Sequence, residues 1–246
     1  MFIESNQNNQ YKNWLKLKQK KHRQGAQEFI VEGEHLVQEA LAHGAVKEII
    51  VRQDAIIDEA LIKDSKVSTL KDSLFDKLAS TESPQPIMAI CRMGLANIEK
   101  NNRLLLLDSI QDPGNLGTLV RSAAAFGFDG LILGPGCADI YNEKTVRATQ
   151  GAIFKLAIEQ KNLGAAISEL KEAGAKIYGT SLEGAQPLGT VQSSEKMGFV
   201  LGNEGSGVDS SLLALTDGNI FIEMQENVES LNVSIAGSVI MYNFRQ

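Results

Sequence analysis

The chain is poor in the residues that carry most metal, redox and histidine chemistry. Among its 246 residues are two cysteines, Cys91 and Cys137, and three histidines, His22, His35 and His43. The cysteines lie far apart without metal-ligand spacing, which predicts two thiols in a reducing cytoplasm and no metal site. All three histidines precede residue 44, so the C-terminal half cannot build a histidine-based triad by itself. No apolar run approaches the length that spans a membrane. The first ten residues lack a basic start and a long apolar core, which predicts no signal peptide. Phosphate-binding fingerprints are missing too. Gly134-Pro135-Gly136 lacks dinucleotide spacing, and no Lys-Ser or Lys-Thr follows the cluster from Gly202 to Gly207. There are no internal repeats or low-complexity tracts.

What remains is ordinary for a globular protein: 43% hydrophobic and 22% charged residues, enough for one large domain or two small ones. The net charge of −6 weighs against a broad nucleic-acid-coating surface, but the charge is uneven. Lys12, Lys16, Lys18, Lys20, Lys21 and Arg23 crowd one segment that holds no carboxylate and contains Trp14, the only tryptophan. This reads either as a solvated helix face with Trp14 packed inward or as a phosphate-positioning surface; in an acidic chain we expect the second, through Lys12, Lys16, Lys20 and Arg23.

Periodicity predicts two domains, 1–98 and 99–246. In the first, helices are expected at 10–23, 34–43, 54–63 and 72–79 and strands at 29–31, 46–51, 66–70 and 87–91, a small α/β/α layer domain. A polar linker is expected over 94–102. In the second, strands at 104–107, 130–133, 154–158, 176–180, 198–201 and 219–222 alternate with helices at 115–126, 142–149, 162–173, 209–215 and 230–244. That alternation predicts a parallel α/β sheet.

The most informative stretch is 104–127. A continuous apolar run, Leu104 to Leu107, suits a strand covered on both faces. Asp112-Pro113-Gly114-Asn115 is turn chemistry, with Asn115 expected to cap the next helix. That helix carries Leu116, Leu119, Val120, Ala123 and Ala124 on one face and a lone cation, Arg121. Two later segments complete a pattern: Asn203-Glu204-Gly205-Ser206-Gly207 and Ser230-Leu231-Asn232-Val233. Together with Asn115 and Arg121 they match, in order and spacing, the three motifs of the SpoU (TrmH-like) RNA ribose 2′-O-methyltransferases of the SPOUT superfamily. The resemblance frames residues 104–246. More loosely, Lys12 to Leu17 and Phe29 to Val37 resemble that family's accessory RNA-binding domain, whose fold is like that of certain ribosomal proteins.

The resemblance implies a parallel-sheet catalytic domain closed by a C-terminal trefoil knot, which periodicity could not suggest. It implies methyl transfer from S-adenosylmethionine to a ribose 2′-hydroxyl of RNA, ribosomal RNA in particular, and a homodimer with its two sites near the interface. The implied catalytic set is Asn115, Arg121, Glu204, Ser230 and Asn232. The implied cofactor set is Thr180, Leu182, Leu201, Gly202, Ile222, Met224 and Leu231, most of which would otherwise be plain core. In the family Arg121 assists deprotonation; because arginine stays protonated, we read it as holding a substrate phosphate and stabilising the developing alkoxide. Glu204 is expected to orient Arg121 or a loop amide, or to bind the nucleotide. Ser230 and Asn232 also suit plain helix capping. One departure is Glu223, where the family usually has proline; it loses a fixed φ and restores a backbone donor. The apolar stripe of the last helix, Val233, Ala236, Gly237, Ile240 and Met241, suits either an ordinary core or the dimer. The alternatives are a non-catalytic RNA-binding protein of the same fold, a transfer-RNA methylase, and a Rossmann enzyme, which the missing glycine fingerprint opposes.

Overall fold

The computed structural model describes residues 1–94, 98, 102–228 and 230–245. Most of the linker expected over 94–102, the boundary at 98/99 and Glu229 fall outside them. In chain order the elements are β1 (Phe2–Ile3), α1 (Asn9–Lys16), α2 (Lys20–Ala26), β2 (Glu28–Glu32), α3 (Glu34–Ala42), β3 (Val46–Arg52), α4 (Glu59–Ile62), β4 (Val67–Leu70), α5 (Asp72–Leu78) and β5 (Ile87–Arg92). Then follow β6 (Arg103–Leu107), α6 (Pro113–Ala125), β7 (Gly130–Leu133), α7 (Glu143–Thr149), β8 (Ala157–Gln160), α8 (Leu163–Glu172), β9 (Lys176–Thr180), β10 (Ala185–Pro187), β11 (Met197–Leu201), α9 (Ser210–Leu213), β12 (Gly218–Phe221) and α10 (Val233–Asn243). Among the described residues no helix is long and apolar enough to cross a membrane. The chain forms two compact units, one of Met1–Leu95 with Asp139–Phe154, the other of Ala96–Ala138 with Lys155–Gln246.

The first unit is a sheet of order β1-β4-β3-β5-β2, mixed parallel and antiparallel. Tyr11, Trp14 and Leu17 pack with Ile30, Ile50, Phe75, Met88 and Ile90 in one core cluster. The basic segment expected as one helix over 10–23 is broken between α1 and α2. In a continuous helix Arg23 would stand about 180° around the axis from buried Trp14, facing solvent. The break turns it inward instead. Arg23 is 4% exposed, donates to the carbonyl of Leu17 at 2.8 Å and pairs with Asp139 at 2.5 Å. This corrects the expectation that Arg23 binds RNA phosphate: its guanidinium is already committed inside the unit. The helix expected over 54–63 shrinks to α4, because Asp58 caps it by accepting from the amide of Ala60.

Residues 139–154, which sequence order assigns to the second domain, belong to the first unit. Tyr141 and Phe154 pack on Phe29, with ring centroids 4.8 and 6.0 Å away. Arg147 donates to Ser80 at 2.5 Å, and the Tyr141 hydroxyl accepts from the amide of Gly94.

The second unit is a seven-stranded, all-parallel sheet of order β10-β12-β9-β11-β6-β7-β8. β6 and β11 lie side by side near its middle and every residue of both is buried, which explains their unbroken apolar runs. From β6 the chain steps to β7 and β8 on one side, then crosses to β9, so strand order reverses here. Ligands of open α/β sheets bind at such a reversal, beyond the carboxyl ends of the strands. Arg103, at the start of β6, is buried and donates to the carbonyls of Asn102 (3.0 Å), Glu195 (2.6 Å) and Phe244 (3.3 Å) and to the Ser193 hydroxyl (3.0 Å). It thereby ties the end of the chain to the sheet.

Asp139→Ala should destabilise the first unit. It leaves the buried Arg23 charge uncompensated, with Nε already lacking a partner among the described residues. Removing one member of such a pair costs about 3 kcal/mol. Denaturant unfolding followed by Trp14 fluorescence checks this; an unchanged midpoint contradicts it.

Candidate functional site

The loops at the carboxyl ends of β9, β11 and β12 and the start of α10 enclose a cleft of about 400 Å³, within the range of small-ligand sites. Thr180, Leu182, Leu201, Gly202, Ile222, Met224 and Leu231 all line it, as do Glu204, Ser230 and Asn232. Leu182, at 73% exposed, and Leu231, at 36%, offer bare apolar surface at its edge. Thr180 is turned to the carbonyl of Val200, to which its hydroxyl donates at 3.0 Å, bridging β9 and β11.

Each motif loop folds for a local reason. At Asn203–Gly207 the two residues exchange backbone hydrogen bonds of 3.0 and 2.9 Å, and Asn203 Oδ1 accepts from the amides of Gly205 and Ser206. Only glycine fits at 202, where a Cβ would lie 2.1 Å from the backbone of Gly207 and Val208. Asn203 Nδ2 donates to the carbonyl of Ser109 at 3.0 Å, and Asp108 Oδ2 accepts from the amide of Asp209 at 2.9 Å. The turn after β11 is thereby fastened to the one after β6. Sequence reasoning missed Asp108 and Ser109, and no motif marks them; the positive φ of Ser109 (58°) appears only in three dimensions.

One capping expectation is corrected, and another is decided. Asp112, not Asn115, caps α6: its carboxylate accepts from the amide of Asn115 at 2.8 Å, with Pro113 at the first helical position. Proline is favoured there because the missing N–H has no helical partner to lose, a signal legible in the sequence. Asn232, not Ser230, caps α10, accepting from the amides of Ser234 (2.9 Å) and Ile235 (3.4 Å).

Released from capping, the Asn115 side chain joins the three motifs. Asn232 Nδ2 donates to Asn115 Oδ1 at 3.0 Å, and Asn115 Nδ2 donates to Glu204 Oε1 at 2.9 Å. Both ends fix the polarity. The α10 cap needs the oxygen of Asn232, and the Glu204 carboxylate accepts from Asn115, so neither amide can flip without losing bonds. Glu204 therefore orients Asn115 rather than Arg121. Arg121 is exposed on α6, does not line the cleft, and makes no ion pair or hydrogen bond with any described residue.

Behind the cleft, α10 packs closely on α6. A Cβ on Gly237 would lie 2.4 Å from Leu119 and 2.7 Å from Leu201, and the hydroxyls of Ser122 and Ser238 meet at 2.8 Å. In the first unit Lys16 and Lys20 are exposed, and Lys12 donates to Gln7 at 2.5 Å.

An apolar cleft beyond the carboxyl ends of β9, β11 and β12, with glycine backbone and a few convergent polar side chains, suits an α/β enzyme with a flat nucleoside-like ligand. The donor set fits the adenosine of S-adenosylmethionine: close backbone approach at Gly202, apolar walls from Leu201, Ile222 and Leu231, and no crowding cation. Comparison with known proteins narrows the class. Residues 102–242 match the SpoU rRNA Methylase family and residues 8–89 the MRM3-like substrate binding domain. The chain belongs to the SpoU rRNA methylase family. It is 41% identical, over 99% of its length and 98% of the relative's, to the 23S rRNA (guanosine(2553)-2'-O)-methyltransferase RlmP of Bacillus subtilis. An AdoMet-bound rRNA methyltransferase from Sinorhizobium meliloti superposes with a TM-score of 0.87 at 26% identity, covering 99% of this chain and 96% of that one. A putative TrmH-family RNA methyltransferase from Porphyromonas gingivalis gives 0.84 at 32%, covering 96% and 97%.

Asn115→Asp should break the Asn232–Asn115–Glu204 chain by facing two carboxylates. Losing a charge-assisted hydrogen bond of about 1.5–3 kcal/mol predicts roughly a tenfold to hundredfold fall in methyl transfer, worse than Asn115→Ala. Parallel kinetics of the two variants check this; equal activity of Asn115→Asp and wild type contradicts it.

Proposed function

We propose that this methylase transfers the methyl group of S-adenosylmethionine to a ribose 2′-hydroxyl of 23S ribosomal RNA, at a guanosine equivalent to the one its Bacillus relative modifies. The supporting observation is the hydrogen-bonded chain of Asn232, Asn115 and Glu204 at the rim of a cleft lined by all seven expected cofactor residues. A fold kept only for RNA binding has no need of that convergence. The full-length likeness to RlmP, N-terminal domain included, favours ribosomal over transfer RNA. The first unit serves as the RNA substrate-binding domain, the second as the catalytic domain, whose C-terminal segment closes the trefoil knot. The protein works in the cytoplasm, where its substrate is made.

The cofactor supplies a methyl already activated by its sulfonium. The protein must align the ribose oxygen with that methyl and favour loss of the 2′-hydroxyl proton. Glu204 and Asn115 hold the turn after β11 in place, and Ser230 and Leu231 close over the cleft. Arg121, exposed and without an ionic partner among the described residues, binds a substrate phosphate and stabilises negative charge on the 2′-oxygen while remaining protonated; the phosphate takes the proton.

A second copy of the chain completes the site. α10 is apolar on two faces: one buries Val233, Gly237, Ile240 and Met241, the other leaves Ile235 (51% exposed), Val239 (38%) and Tyr242 (56%) open. An amphipathic surface helix has one apolar face; a second calls for a partner. Isologous contact through that face joins the α6–α10 layers of two copies, where Arg121 acts.

Transfer of labelled methyl groups to purified 23S rRNA, 16S rRNA and transfer RNA tests the reading, with label expected in 23S rRNA alone. Arg121→Ala should lose about a hundredfold in single-turnover rate, on the order of 3 kcal/mol, with cofactor affinity unchanged. Wild-type rate in that variant means the cation acts elsewhere. Ile235→Glu with Tyr242→Glu should sediment as a monomer and lose transfer; an active monomer removes the dimer from the mechanism.

A further inference from the structure

One residue brackets the turn that follows β11. The amide of Asp108, just past β6, donates to the carbonyl of Leu201 at 2.8 Å, where the turn begins. Its carboxylate Oδ2 accepts from the amide of Asp209 at 2.9 Å, where the turn ends. Between the two, the carbonyl of Ser109 accepts from Asn203 Nδ2 at 3.0 Å. Asn203 cannot turn its amide over, because its Oδ1 already takes the amides of Gly205 and Ser206. Ser109 aims its carbonyl with a φ of 58°, a conformation that persists in such a residue only where the surroundings impose it. Gly136 presses on it: a Cβ there would meet Ser109 Oγ at 2.9 Å.

Neither Asp108 nor Ser109 lines the cleft, whereas Leu201, Gly202, Asn203, Glu204 and Gly207 do. The bracket therefore acts on the ligand through the turn, and the route is short. Gly202 lies so close to Gly207 and Val208 that a Cβ would stand 2.1 Å from their backbone, so the end of the turn backs its beginning. Releasing the Asp209 end removes that backing from the main chain at Gly202. The half-buried Asp108 carboxylate serves only as an acceptor. Oδ2 faces the amide, Oδ1 faces the Ser109 hydroxyl at 3.1 Å, and no cation pairs with it among the described residues.

We propose that Asp108 is a positioning residue for S-adenosylmethionine: its carboxylate, with the Ser109 carbonyl, pre-orders the main chain of Gly202–Glu204 that receives the cofactor, and it takes no proton in the reaction. The proposal rests on the reading of the chain as a methylase that uses this cofactor, and it adds two residues outside the cleft that set its affinity. A wall already in order binds without first losing conformational freedom, and the difference appears as affinity. Asparagine should then serve at 108 as aspartate does. Its Oδ1 would accept from Asp209 and its Nδ2 would donate to Ser109 Oγ. The Ser109 hydroxyl would donate in turn to the carbonyl of Pro135, 3.2 Å away. A general base, or a carboxylate acting by its charge, would not survive that exchange.

The intact protein and its variants are titrated with S-adenosylmethionine and S-adenosylhomocysteine by calorimetry, and hydrogen exchange of the free protein is followed over 203–209. Asp108→Ala should weaken cofactor binding about tenfold, the worth of one hydrogen bond, and speed exchange at those amides. Asp108→Asn should stay within about twofold of wild type in both measurements, because it keeps the acceptor. Ser109→Gly keeps the carbonyl direction and should bind like wild type. Ser109→Val, β-branched at a positive φ, should weaken binding as Asp108→Ala does. In steady-state methyl transfer, Asp108→Ala should raise the KM for cofactor and leave the KM for RNA unchanged, a split that general loss of structure does not give. Circular dichroism monitors folding, and the two Ser109 variants carry the comparison if Asp108→Ala does not fold. Wild-type cofactor affinity in Asp108→Ala overturns the proposal, as does equal binding by Ser109→Gly and Ser109→Val. So does an Asp108→Asn variant as weak as Asp108→Ala, which makes the charge the active feature. The expected variant pattern in a protein that methylates no 23S rRNA defeats the proposed function alone. Methylation of 23S rRNA with a cofactor affinity indifferent to Asp108 defeats the bracket alone.

Discussion

The second unit is organised around one chain of side-chain hydrogen bonds, Asn232 to Asn115 to Glu204. Its members come from the start of α10, the start of α6 and the turn after β11, segments far apart in sequence. Each bond has one permitted direction, because a helix cap needs an oxygen at one end and a carboxylate needs a donor at the other. The consequence is mutual dependence: the α10 cap sets Asn232, Asn232 sets Asn115, and Asn115 sets Glu204. Such networks are worth having only when every member is satisfied. Here the polar groups that shape the cleft also fix the helix ends that carry them.

Packing behind the cleft serves the same end. Gly237 lets α10 approach so near that a methyl group would collide with both Leu119 of α6 and Leu201 of β11. Leu201 faces the cleft as well, so any change in the α6–α10 spacing reaches the ligand wall directly. Arg103 clamps the far end of the same layer through the carbonyl of Phe244. The helix that closes the cleft is therefore held at its first residue by a cap, in the middle by contact and at its end by a buried cation.

Much of this was legible in the sequence. Buried parallel strands announce themselves as unbroken apolar runs, and β6, β7 and β11 were readable from Leu104–Leu107 and their counterparts. The seven residues that the family resemblance implies for the cofactor line one cleft, although no resemblance says which side chains touch. What the sequence concealed follows from tertiary choice. Asp112 and Asn115 are both good caps, and only the position of Pro113 decides between them. The break after Lys16 depends on burying Arg23 against Asp139, a partner that local periodicity cannot see. For the same reason residues 139–154 read as part of the domain whose strands flank them, yet Tyr141 and Phe154 find their aromatic contacts on Phe29. β10, three residues with proline at its end, lies at a sheet edge where little pattern is required.

The central claim is that this cleft directs a methyl group to one ribose of 23S ribosomal RNA. Nucleotide-resolution mapping of 2′-O-methylation tests it most directly, in cells with the gene, without it, and complemented by wild type or Asn115→Asp. One methylated guanosine in 23S rRNA should vanish with the gene, return with wild type and stay largely absent with the variant. A methylation map of 23S rRNA that does not change on deletion would contradict the claim.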